Sequence, residues 1–243
     1  MSDLPSKQSH KSTDVVIFSA HPDDSEMAMG GTMLKLAASG YSILNVALTR
    51  SQLSTYGDTE TRAKEFAAAA ESIGCASLIC DLVDQELENT IETRLLVARI
   101  LREHRPRLVF APYHTNPIAD FGGISNRDHW TAGGIVRDGV KLARLEKAIP
   151  ELPRHQIDKL FFYMLPRNIS PTVLVDVSDV IDRVFEVISC YRSQMSIEFQ
   201  GTKVKDLLRA SRSEAGLTAG MEFAEGFISD MPFEFSSQTF FDV

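Results

Sequence analysis

The sequence predicts an α/β fold, a single Rossmann-like domain with a mainly parallel sheet flanked by helices. Three observations predict it. Short apolar, β-branched segments alternate with longer amphipathic ones through most of the chain. Strands joined through helices imply right-handed crossovers and hence parallel pairing. The length of 243 residues, with 44% apolar and 24% charged side chains, suits one hydrophobic core of ordinary globular composition. The expected organisation is a flexible N-terminal segment, residues 1–13, followed by one domain, residues 14–243.

Val15 to Ala20 reads as the first strand, because it is apolar and rich in β-branched residues. Pro22, Gly30 and Gly31 then suggest a loop, and Thr32 to Ser39 an amphipathic helix. The pattern recurs with Ile43 to Leu48 and Thr61 to Ile73, then Ser77 to Leu82 and Ile91 to Arg105. Asn89 and Glu92 look like a capping pair for the third helix, and Pro106 ends it. Leu108 to Ala111 and Trp130 to Glu146 form the fourth strand and helix. Leu160 to Met164 and Thr172 to Val177 read as two more strands, and Ile181 to Tyr191 as a further helix. From Ser193 onward the sequence is weakly periodic.

Composition narrows the function. A net charge of −8 offers no basic stripe with which to neutralise phosphates, which disfavours nucleic acid as a partner. No apolar run reaches the roughly 18 residues of a membrane span, and the polar start from Met1 to Thr13 lacks a signal-peptide core, so a cytoplasmic location is expected. Cys75, Cys80 and Cys190 form no CxxC pair and read as reduced thiols. No GxGxxG or Walker sequence supports nucleotide binding.

In open parallel sheets ligands sit beyond the carboxyl ends of the strands. The segment Ala20-His21-Pro22-Asp23-Asp24-Ser25-Glu26 leaves the first strand there, and Asn126-Arg127-Asp128-His129 stands before the fourth helix. Imidazole and carboxylate are zinc ligands, a second carboxylate can take a proton from an activated water, and a third protein ligand leaves one position open. Taken alone, the first segment also reads as a polar turn whose aspartates cap a helix, with Gly30-Gly31 easing helix packing.

These motifs resemble those of the LmbE-like or PIG-L zinc-dependent de-N-acetylases, in particular the branch with the bacillithiol-biosynthesis deacetylase. The resemblance runs from about Val15 to Phe227. It includes His21 to Asp24, Gly57 to Arg62 and Glu65, Pro106 to Tyr113, Asp128-His129, Tyr191 to Gln194, and Ala224 to Phe227. It implies that His21, Asp24 and His129 hold Zn2+ or another divalent metal, and that Asp23 is the general base. It also implies an amino-sugar substrate met by Arg62, a carboxylate at Asp128 that orients a neighbouring donor or ligand, and a homo-oligomer, a hexamer among the possibilities. A surface ion pair with Glu65 is the plainer reading of Arg62, and a helix-dipole charge that of Asp128.

Asn126 stands where the family has a histidine, and no tyrosine occurs between Met195 and Arg212 where that branch carries one. An amide can donate a hydrogen bond to an oxyanion but cannot deliver a proton. His114 is the loop residue that could replace the missing acid; its plainer reading is a solvated side chain. The function expected is removal of an acetyl group from an N-acetylglucosamine-type amide. The alternatives are a catalytically impaired metal-binding module that senses or scaffolds a sugar-like ligand, and a metal-free α/β domain for nucleotides or sugar phosphates. Five phenylalanines, Phe227, Phe233, Phe235, Phe240 and Phe241, suggest a tail packed on its own domain or a neighbouring subunit.

Overall fold

The structure, a computed structural model, describes residues 12–115 and 126–232. A seven-stranded sheet carries the fold. In chain order its first five strands are β1 (Val15–Ser19), β2 (Ile43–Thr49), β3 (Ala76–Leu82), β4 (Leu108–Pro112) and β5 (Lys159–Tyr163). Between them run α1 (Asp24–Ala38), α2 (Thr59–Ile73), α3 (Ile91–His104) and α4 (Arg127–Ala143). There follow β6 (Val173–Asp176), α5 (Ile181–Ile188), a small hairpin of β7 (Glu198–Phe199) and β8 (Thr202–Lys203), α6 (Val204–Leu217) and β9 (Ala224–Ser229).

The strand order is β3-β2-β1-β4-β5-β9-β6, with β1 to β5 all parallel and β9 antiparallel to both neighbours. Every residue of β1 and β2 is buried, because helices cover both faces of a parallel sheet. The alternation of side chains divides the core in two. Val16, Phe18 and Val46 face α3 and α4, whereas Val15 and Ile17 face α1, α2 and α5. Strand order reverses between β1 and β4, so the carboxyl ends of those two strands mark the switch point at which such sheets bind ligands.

Local chemistry sets most helix ends. Asp58 caps α2 by accepting from the Thr61 amide at 2.7 Å, and Gly74 ends it at φ 86°. The third helix is capped by Thr90 with Thr93, not by Asn89 with Glu92. Asn89 is instead committed to Arg94 and Asp138.

Three further expectations are corrected. The first helix begins at Asp24 rather than Thr32, and passes Gly30 and Gly31 with a break at Met29, φ −140°. Gly31 is needed there, since a Cβ would lie 2.5 Å from Val177 Cγ1. The fourth helix begins at Arg127, which places His129 in its first turn. The weakly periodic region after Ser193 holds α6 and the inner strand β9. Strand β9, AEGFIS, gives no clean alternation, because Glu225 puts a charge at a buried position and Gly226 carries no side chain.

All three cysteines are free thiols; Cys80 is buried, and Cys75 and Cys190 are half-buried. Thr13 is tied by its amide to the His104 carbonyl at 2.9 Å. Residues 1–11, Phe233, Phe235, Phe240 and Phe241 lie outside the described residues, whereas Phe227 is buried in β9. Among the described residues no helix is long and apolar enough to cross a membrane.

Candidate active site

The loops leaving β1, β2 and β3 and the start of α4 are laced together by carboxylates. From the loop after β3, Asp84 accepts the Leu53 amide of the loop after β2 at 3.0 Å. From the start of α4, Asp128 accepts the Gln85 amide at 2.7 Å. Gly133 lets α4 close on the end of β4: a Cβ there would meet the Pro112 carbonyl oxygen at 2.1 Å. That approach brings His129 over the end of β1.

His21, 7% exposed, is the hub. Its amide donates to Asp24 Oδ2 at 2.9 Å, and its Nδ1 lies 3.4 Å from the same oxygen. The other ring nitrogen, Nε2, lies 3.0 Å from Asp84 Oδ1 and 3.7 Å from Asp128 Oδ2. Asp24 Oδ1 is 3.1 Å from His129 Nε2, so this carboxylate stands between two imidazoles. Ligand atoms of His21, Asp24 and His129 all lie within 4.8 Å of one another.

Two nitrogens and one carboxylate suit a divalent metal of the zinc type. Pairing of the second His21 nitrogen with Asp84 is the usual support of a ligating histidine. His129 is the most accessible of the three, its side chain 26% exposed, so the open side of the set faces its ring. Asp128 Oδ1 is buried without a hydrogen-bond partner, a further sign of negative charge in excess of what the protein itself compensates.

The same imbalance sets the titration. Burial alone would lower the His21 imidazole, but Asp24, Asp128 and Asp84 outweigh it and push it up to about 12. Burial would raise Asp24, yet His129 and His21 hold it well below the usual carboxylate range. Asp23 is pushed up to about 6 by burial, with Arg62 opposing.

Asp23 sits at φ 120°, a conformation that costs an L-residue on the order of 1–3 kcal/mol. It precedes α1 but caps nothing with its side chain. Instead its Oδ2 pairs with Arg62 Nη2 at 2.8 Å, and Arg62 also donates to the Pro22 carbonyl.

Arg62 is buried at 2% exposure in the first turn of α2, so it is not a surface charge. Its Nε and Nη1 have no hydrogen-bond acceptor, although Glu65 Oε2 is 3.9 Å from Nη1. The guanidinium lies over the Tyr191 ring, 5.7 Å from its centroid. Glu65 in turn accepts from the Ser193 amide and hydroxyl at 2.7 and 2.6 Å, and Gln194 donates to the Tyr56 carbonyl. The Tyr191 to Gln194 segment thus fixes the loop and helix that carry Arg62.

Asp128 is fully buried and faces His21. Asn126 caps α4, its Oδ1 accepting from the Asp128 amide at 2.9 Å, which leaves its Nδ2 free of that task. His114 shares no hydrogen bond with His21, Asp24 or His129. Its Nδ1 lies 3.2 Å from Arg137 Nη1, and its ring packs on Tyr113 and Phe162. Burial and Arg137 lower the His114 pKa.

Two residues of the site escaped the sequence reading. Asp84 was hidden among several acids of its loop. Glu26 was part of the first motif but carried no expected role. It is fully buried, receives Tyr191 Oη at 2.7 Å and Asn45 Nδ2 at 3.0 Å, and burial pushes it up to about 7.

Comparison with known proteins bears on this arrangement. The PIG-L family model, described as GlcNAc-PI de-N-acetylase, matches residues 16–140. Diacetylchitobiose deacetylase of Thermococcus kodakarensis is 29% identical over 226 residues, spanning 87% of this chain and 81% of that protein. A conserved protein of Thermus thermophilus superposes with a TM-score of 0.81 at 32% identity, covering 93% of this chain and 98% of its own. The N,N'-diacetylchitobiose deacetylase of Pyrococcus horikoshii superposes with a TM-score of 0.79 at 26% identity, covering 90% and 84%.

Proposed function

The chain belongs to the PIG-L family of de-N-acetylases, and from that premise we propose that it is a metal-dependent hydrolase that removes an acetyl group from an N-acetylglucosamine-type amide. The metal, zinc or another divalent ion, is held by His21, Asp24 and His129. The observation that supports this reading most is the buried Asp23 beside those ligands, strained in backbone, paired with Arg62 and raised to about 6. A module that only bound a metal would need no such group.

When bound, the metal supplies Lewis acidity, lowering the pKa of a water towards neutrality and polarising the acyl oxygen. Asp23 takes a proton from the attacking water; a base poised near 6 is ionised at neutral pH yet basic enough to accept it. Arg62 holds that carboxylate in place. The Nδ2 amide of Asn126 donates a hydrogen bond to the developing oxyanion, a contribution on the order of 10² to 10³ in rate.

The leaving amine needs a proton, which Asn126 cannot give. Asp23, having just accepted one, returns it. His114 is the other candidate, and its bond to Arg137 and lowered pKa disfavour it. Arg62 acts through Asp23 and Asp128 through His21.

The test is metal analysis of purified protein together with acetate release from N-acetylglucosamine and diacetylchitobiose. One equivalent of divalent metal and release of acetate are expected. A full equivalent of metal with no release from any N-acetylated sugar would favour the impaired metal-binding module, and no metal at all would dismiss the site. Asn126→His should raise the rate, while His114→Ala should leave it within about threefold; a loss near 10² in the latter, the scale of a general acid, would transfer the proton to His114.

A further inference from the structure

Helix α1 is interrupted at the point where two charged side chains from the far end of the sequence enter it. In an unbroken helix the Gly31 amide would donate to the Met27 carbonyl. Here Gly31 donates to Glu225 Oε1 at 3.0 Å, and the Met27 carbonyl accepts from Arg212 Nη2 at 2.9 Å. Arg212 and Glu225 pair directly, Nη2 to Oε1 at 2.8 Å and Nε to Oε1 at 3.0 Å. The other carboxylate oxygen takes the Thr32 amide at 2.7 Å and the Thr32 hydroxyl at 2.8 Å. An ion pair is thus inserted into the helical ladder, which is a recognised cause of a kink. The break at Met29 coincides with it.

Both side chains are buried, 4% and 2% exposed. Arg212 lies on α6 and Glu225 on β9, so the pair ties the antiparallel side of the sheet to the helix that begins at Asp24. The segment before the break, Asp24 to Ala28, carries the carboxylate that stands between His21 and His129, and it starts from the strained Asp23.

We propose that Arg212 and Glu225 are positioning residues: inserted between the Met27 carbonyl and the Gly31 amide, they set the direction of the first turn of α1 and thereby place Asp24 for the metal and Asp23 beside it. The proposal rests on the reading of His21, Asp24 and His129 as the metal ligands. Neither residue touches metal or substrate, and their effect passes through the helix.

The test is the double variant Arg212→Met with Glu225→Leu, in which apolar side chains replace the buried pair, an exchange that often leaves stability nearly unchanged. Zinc affinity is read by competition with a chelator, and the melting midpoint on metal-free protein. The expected result is an affinity lowered about 10-fold or more, the scale typical of groups that orient a ligand, with a metal-free midpoint close to that of the wild type. An affinity within twofold of the wild type overturns the proposal. Arg212→Lys, which keeps Glu225 paired, serves if the double variant does not fold, and an intermediate loss is then expected, no loss being the refuting result. Should the wild type itself take up no metal, the site reading fails on its own. The clamp is then judged from the His129 ring resonances of metal-free protein: they should shift in either variant as Asp24 moves, and unchanged resonances refute it.

Discussion

Two buried clusters of charge lie at opposite ends of the first turns of α1, and they differ in how completely they are satisfied. Around the Arg212 and Glu225 pair both carboxylate oxygens and the guanidinium nitrogens have partners, with cation and anion in equal number. Around His21 three carboxylates share one imidazole and a neighbouring histidine, and one oxygen of Asp128 has no hydrogen-bond partner. A charge cluster that closes on itself is scaffold. The cluster proposed to hold the metal is the one that leaves negative charge over, and that difference separates it from its support more surely than burial does, since both are buried.

The sharpest way to break the comparison is to alter the open cluster without unbalancing the closed one. Asp23→Asn removes the base but none of the proposed ligands, so turnover should fall on the order of 10² to 10⁴ while metal content stays near one equivalent. Turnover retained at full metal occupancy would remove Asp23 from the role of base.

The next effect is on stability and separates the clusters directly. Arg212→Met alone leaves Glu225 buried and unpaired, which should cost about 3–5 kcal/mol in denaturant unfolding of metal-free protein. Asp128→Asn in the open cluster keeps an acceptor for the Gln85 amide and relieves surplus negative charge, so its cost should stay below about 1 kcal/mol. Equal losses in the two variants would erase the distinction drawn above.

Glu26 sharpens the comparison through pH. Its folded pKa of about 7 exceeds its ordinary 4.5 because burial disfavours the charged form. The fold therefore prefers it neutral: its stabilising contribution is complete below pH 4.5 and is lost as the pH rises through 7. Glu26→Gln mimics the neutral acid, with its oxygen still accepting from Tyr191 and Asn45. Between pH 4.5 and pH 8 the metal-free wild type should lose up to about 3 kcal/mol relative to this variant. A difference that does not change over that range would show Glu26 ionised throughout.

A small effect on stability is expected at Asn126. Asn126→Ala removes the cap of α4 and should cost about 1 kcal/mol of stability. If its amide also serves the oxyanion, kcat should fall well beyond what that loss explains, with metal affinity unchanged. A fall in stability alone would leave Asn126 as a cap.

Legibility followed the range of the interactions. The parallel half of the sheet could be read because fully buried strands and amphipathic helices leave local periodic signals. Strand β9 and helix α6 left little: α6 buries only Val204, Arg212 and Gly216, too few for an apolar stripe. The sequence places the start of the first helix eight residues late because Gly30 and Gly31 signal a loop locally, whereas in the fold Glu225 accepts the Gly31 amide and Val177 occupies the space a Gly31 side chain would take.

The sequence by itself determined which residue types arrive at the rim of the sheet: His21, Asp23 and Asp24 at the end of the first strand, and Asp128 and His129 at the head of the fourth helix. Strand, loop and helix are local patterns, and their order fixes the rim. Only the tertiary structure decided between Asp81 and Asp84, three residues apart. The first is exposed and paired with Arg50 at 2.5 Å, while the second is turned inward onto His21. It likewise showed the backbone of Asp23 and the break in α1, where Arg62 meets the Asp23 carboxylate and Arg212 and Glu225 take the backbone groups of Met27 and Gly31. Gly31 and Glu225 stand 194 positions apart, and no local periodicity reports a hydrogen bond across such a separation.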